Sequence, residues 1–199
     1  DQGSLLFPND PGLLLQHGVY HEALASLINQ AGERGGKVDI RPASTHLKEA
    51  EALFRRAIES NPDFVEARIH RGAVLGALGR HNEAAGELRK AAASAQGPIL
   101  GYYAELFLGN EEHALGERDA ARACYDRASA LFPTAQSPRI ALSALARQRG
   151  DRVEALGAMR RVLNLPADER RRKDPWWSYH FWFDKNAEEA ARFYAATFP

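Results

Sequence analysis

His17 and His21 stand four residues apart, a spacing that puts two imidazoles on one face of a helix and lets them hold a metal ion. Gly18 follows His17, so the His-Glu-x-x-His order of a metalloprotease helix is absent, and no third ligand is evident. His180 is a further imidazole, in the aromatic stretch SYHFWFD. A metal-binding or enzymatic role would run through His17, His21 and His180. Cys124 is the only cysteine, which excludes an internal disulfide and a cysteine metal cluster. It precedes Tyr125 in a helical pattern, where a thiol behaves as a small buried hydrophobe. Arg170-Arg171-Arg172-Lys173 is a basic run, but Asp168, Glu169 and Asp174 flank it and neutralise most of it, so it reads as a solvated linker. No phosphate-binding glycine loop, nucleophile elbow or Cys/His zinc spacing occurs. The expectation is a protein that is not an enzyme, with no cofactor and no metal site.

Composition narrows the partners. The 26 Lys and Arg balance 26 Asp and Glu. A chain without net charge lacks the basic surface that supplies most of the attraction to nucleic acid or anionic membranes. No apolar run approaches the roughly 18 residues of a membrane span, so no membrane insertion is expected. The chain opens on Asp1 and not on Met, which tilts the expectation toward an exported protein, with periplasmic and cytoplasmic locations both open.

The elements that carry these residues show an internal period. A glycine turn is followed by an alanine, a bulky residue four on, and a small one three later. The phrase reads Gly79, Ala84, Leu88, Ala91, then Gly116, Ala121, Tyr125, Ala128, then Gly150, Ala155, Met159, Val162. Ala50, Phe54 and Ala57 form an earlier copy without its glycine, ending in Asn61-Pro62. Offsets of three and four place these residues on one helical face, where small side chains let a neighbouring helix approach and the bulky one fills the gap. Glycine suits the turn between antiparallel helices, and Pro62, Pro133 and Pro166 stop one hairpin before the next.

These residues resemble the tetratricopeptide-repeat family, whose unit is a helix pair of about 34 residues. Gly72, Ala84 and Ala91 match the family's small positions in one repeat. Gly109, Ala121, Ala128 and Pro133 match in the next, and Ser143, Ala155 and Val162 in the last. The match runs from about Leu47 to Pro166. Arg68 and Glu105 stand where the family has an aromatic, and Arg71 stands at an apolar position, so those helices are expected to be shifted or partly exposed. The resemblance implies an all-α, right-handed superhelical solenoid of helix hairpins. It also implies a concave groove lined by each repeat's first helix. The groove residues would include Ile69 and Ala73, then Tyr103, Leu106, Asn110 and His113, then Ile140, Ala144, Arg147 and Gln148.

That mix of apolar and polar side chains suits a protein or peptide partner, with apolar anchors supplying energy and polar ones fixing register. The Lys/Asn/Arg clamp by which some members hold a terminal carboxylate is missing. Three readings follow: a non-catalytic scaffold binding a peptide or partner subunit, a structural subunit of a larger assembly using its convex face and C-terminal aromatics, or a groove filled by the chain's own terminal segment.

The flanks divide into a first part, 1–44, the array, 45–166, and a last part, 167–199. Pro11–Ala31 reads as a helix, followed by the loop GERGGKVDIRPAS. GVYHEA from Gly18 echoes the turn phrase GRHNEA from Gly79, so Gly18 is either a degenerate turn or mid-helix. Ser44 or Thr45 is expected to cap a helix running to Ser60. Gln96–Gly101 reads as an insertion, and the Glu111-Glu112 pair is expected to be exposed. Trp176, Trp177, Trp182 and a final helix, Lys185–Phe198, are expected to cap the open end of the array. The stretch HFWFDKNAEEAARFYAATFP also resembles the opening strand and helix of glyoxalase-like, vicinal-oxygen-chelate domains, where His180 would fall on a strand that carries a metal ligand in some members.

Overall fold

The computed structural model describes residues 8–33, 41–165, 174–176 and 179. All eight helices among them are α-helices, and these residues hold no strand. They are α1 (Pro11–Glu33), α2 (Ala43–Ser60), α3 (Val65–Ala77), α4 (His81–Ser94), α5 (Pro98–Ala114), α6 (Arg118–Leu131), α7 (Ser137–Gln148) and α8 (Arg152–Leu163). The chain divides into two compact units at Arg80 and His81, with α1 to α3 in the first and α4 to α8, through Tyr179, in the second.

In the first unit α1 packs along α2, and α2 against α3. Gly18 settles as mid-helix. It lies in the body of α1, where an added Cβ would sit 2.4 Å from the Phe54 ring. The missing side chain is what lets Phe54, with no exposed surface, press onto the α1 backbone. Helix α2 starts earlier than a Ser44 or Thr45 cap would require. Pro42 takes the cap position and its carbonyl accepts from the Thr45 amide at 2.8 Å, with no side-chain cap. Arg71, at a position the family keeps apolar, does not force α3 outward: it lies half-buried and donates twice to Glu51 Oε1, at 2.9 and 3.1 Å.

In the second unit each helix packs on its successor, α4 on α5 through α7 on α8. Gly109 and Tyr125 repeat the close approach, with an added Cβ 2.5 Å from the ring. Tyr102, Leu106, Ala121, Tyr125, Ala128, Ala135 and Leu145 form the core there. Helix α5 begins at Pro98, with Pro in its first turn, so most of the expected insertion is helix; the loop shrinks to residues 95–97. Glu111 and Glu112 are buried, not exposed, because α4 supplies their partners: His81 at 2.7 Å from Glu111, and Arg89 at 2.6 and 3.0 Å from Glu112.

The expected turn glycines hold. Gly79, Gly116 and Gly150 have φ of 76°, 84° and 78°, the left-handed conformation that ends a helix. After each, the next amide reaches back to close the helix: Arg80 to Leu75, Glu117 to Glu112 and Asp151 to Ala146, all at 2.8–2.9 Å.

Candidate functional site

Two places gather side chains with chemical potential, one in each unit.

In the second unit residues 174–176 and 179 lie against α5 and α7. Asp174 is 1% exposed, which a carboxylate tolerates only with full hydrogen bonding. Its Oδ1 accepts from the Tyr102 hydroxyl at 2.6 Å and the Trp176 amide at 3.0 Å. Its Oδ2 accepts from the Ser137 hydroxyl at 2.7 Å and from the amides of Ser137 at 2.8 Å and Gln136 at 3.0 Å. Those amides open α7, so the carboxylate sits where the helix dipole favours an anion. Burial and the neighbouring carboxylate raise the Tyr102 pKa and push Tyr103 up to about 12, so both stay protonated as donors. Tyr103 donates to the Pro175 carbonyl at 2.9 Å. Trp176 packs on the α5–α7 core, and the Tyr179 ring lies 5.3 Å from Tyr103 and 5.0 Å from Phe107.

The residues expected to line a groove are distributed unevenly. Ile69 and Leu106, at 1% and 3% exposure, belong to the interior of their units, because each turns toward the packed side of its helix. Ala73 is half-buried on α3. Tyr103 is engaged by Pro175 and Tyr179. Asn110 accepts from the Tyr125 hydroxyl at 2.9 Å, and His113 Nε2 meets Gln148 Oε1 at 2.8 Å, joining the ends of α5 and α7. Ile140 and Arg147 are exposed on α7, with Ala144 half-buried between them. Asp174, the residue that organises this face, gave one sequence signal: an acid beside Pro175 and the tryptophans, which was absorbed into the charge balance of the basic run.

In the first unit α1 and α2 bring His21, His46 and Glu49 together. The two Nδ1 atoms are 3.0 Å apart, and Glu49 Oε2 lies 3.1 Å from His21 Nδ1 and 3.9 Å from His46 Nδ1. Glu49 Oε1 accepts from Arg41 at 2.7 Å. Burial, first among the causes, lowers His21 to about 4 and also lowers His46 and His17. The His17 ring lies 5.0 Å from the His21 ring, tilted by 35°. His21 converges with His46 and Glu49 of the facing helix, which are three residues apart on one face, and His17 is not among the three. His180 lies outside the described residues, as do Trp177, Trp182 and the expected final helix. Cys124 is 2% exposed, and burial pushes its thiol up to about 11, which leaves it inert.

No family model and no curated protein sequence matches the chain. Solved structures do. MamA 41-end from Desulfovibrio magneticus RS-1 aligns with a TM-score of 0.63 at 20% identity, covering 81% of this chain and 78% of that one. A crystal structure of MamA aligns at 0.56 and 17% identity, over 76% and 92%. The APC/C hetero-tetramer Cut9-Hcn1 aligns at 0.53 and 23% identity, over 62% of this chain and 23% of that one. These likenesses, with glycine turns and small-residue contacts in phase, define a helical-hairpin repeat protein. The fold is the tetratricopeptide-repeat fold. The glyoxalase-like resemblance of the last 20 residues finds no support among these structures and falls outside the described residues.

Proposed function

We propose that this chain is a non-catalytic scaffold for protein–protein interaction, and that the face of α5 and α7 receives an extended segment carrying an acid followed by aromatics. One observation carries the reading: the chain's own Asp174, Pro175, Trp176 and Tyr179 lie on that face and use every kind of contact such recognition needs. The carboxylate is read by two hydroxyls and a helix N-terminus, the backbone by Tyr103, and the rings by Tyr103 and Phe107. The partner would present the same chemistry and displace the segment. The fold of the solved relatives is compatible with such a role.

The test is a labelled peptide with the sequence of residues 174–179, titrated by fluorescence anisotropy into the chain carrying Asp174→Ala and Trp176→Ala. Saturable binding is expected, weakened about fivefold by a further Tyr103→Phe, the worth of one hydrogen bond. Absence of binding, or binding indifferent to Tyr103→Phe, would move the partner site off this face.

A second reading has its own observation. Val153, Leu156 and Leu163 on α8 are 85%, 60% and 61% exposed, an apolar stripe suited to contact within a larger assembly.

A further inference from the structure

The geometry points to a divalent transition-metal site, zinc by its donor set, held by His21, His46 and Glu49 in the first unit. Three atoms separated by 3.0, 3.1 and 3.9 Å lie on a circle of about 2.0 Å radius, so one ion reaches all three at zinc–nitrogen and zinc–oxygen bond length.

The hydrogen-bond account without a cation does not close. Two Nδ1 atoms 3.0 Å apart need a proton on one of them. That proton serves the His–His contact and leaves Glu49 Oε2, itself buried, without a hydrogen bond. A single cation satisfies all three lone pairs at once. Both imidazoles are buried, and neutral imidazole is the ligating form.

The surroundings resemble those of metal sites. Arg41 holds the far oxygen of Glu49 at 2.7 Å and so aims the near one at the histidines. Helical packing fixes the donors: His46 and Glu49 share a face of α2, and Ala50, beside Glu49, is fully buried in the α1–α2 contact. Two nitrogens and one carboxylate oxygen suit zinc and disfavour magnesium or calcium, which prefer all-oxygen shells. Three protein ligands leave a fourth position for water or a donor from another molecule.

The experiment is calorimetric titration of the EDTA-treated full chain with zinc chloride, with cobalt(II) absorption as a second readout. One equivalent should bind, and cobalt should give the intense visible bands of a four-coordinate ion. His46→Asn and Glu49→Gln should each weaken zinc at least tenfold while circular dichroism of the metal-free chain keeps its helix. Should those variants unfold, imidazole ¹⁵N spectra of the unaltered chain decide the matter: the His21 and His46 Nδ1 signals should shift with one equivalent of zinc. Unmoved signals, or zinc affinity equal in the unaltered chain and both variants, would overturn the site.

Discussion

The hairpins α1–α2 and α5–α6 share one packing device and spend their remaining positions differently. In both, a mid-helix glycine lies under an aromatic ring, Gly18 under Phe54 and Gly109 under Tyr125. Alanines flank each ring at the same offsets, Ala50 and Ala57 in one, Ala121 and Ala128 in the other, and all four are fully buried. Three residues after the glycine the chemistry departs. The first hairpin places His21 there, which meets His46 and Glu49. The second places Glu112, which pairs with Arg89 of α4. The small and bulky residues therefore set the hairpin, and the polar positions beside them are free to become a metal-type cluster or an ion pair.

The largest effect should come from attacking what the hairpins share. Gly18→Ala and Gly109→Ala each force a Cβ to within 2.4–2.5 Å of a buried ring. Each should lower the stability of its own unit by about 2–3 kcal/mol, more than the roughly 1 kcal/mol that alanine gains in helix propensity. Urea unfolding of both variants checks this; a harmless Gly18→Ala would separate the first hairpin from the second.

A comparable or somewhat smaller loss, about 2 kcal/mol, should follow Asp174→Ala, which strands the Tyr102 and Ser137 hydroxyls and uncaps α7. The unfolding midpoint should fall in the second unit and the zinc titration of the first should not change. A changed zinc titration would show that the two sites are coupled.

The smallest effect has the opposite sign. Gly86, on α4, has nothing within 4 Å of an added Cβ. Gly86→Ala should raise stability by about 0.5–1 kcal/mol through helix propensity alone. A loss in the same urea assay would mean that Gly86 serves packing as Gly18 and Gly109 do.

The fold was legible because its determinants are local. Gly79, Gly116 and Gly150 announce turns by type, and Ala50, Phe54 and Ala57 announce a buried face by spacing. What escaped depends on which helix lies opposite. Glu111 and Glu112 look like solvent residues until α4 brings His81 and Arg89 to them. Gly18 echoes a turn phrase, and only Phe54 above it reveals a contact glycine. His17 and His21 were legible as a pair, but the donors that His21 meets lie across a hairpin, 25 residues away in the case of His46. Asp174 sits 72 positions from Tyr102, beyond the reach of any periodicity.

That last separation has a consequence for how the molecule is made. Contacts within α5 to α8 join neighbours in the chain and form early, whereas the Asp174 closure must wait for a long loop to be drawn in. During synthesis, α5 and α7 leave the ribosome before residue 174 does. Their face is therefore open in the nascent polypeptide and shuts only afterwards, so under the reading proposed above a partner would meet no competitor during translation and would compete with Asp174 and its neighbours later.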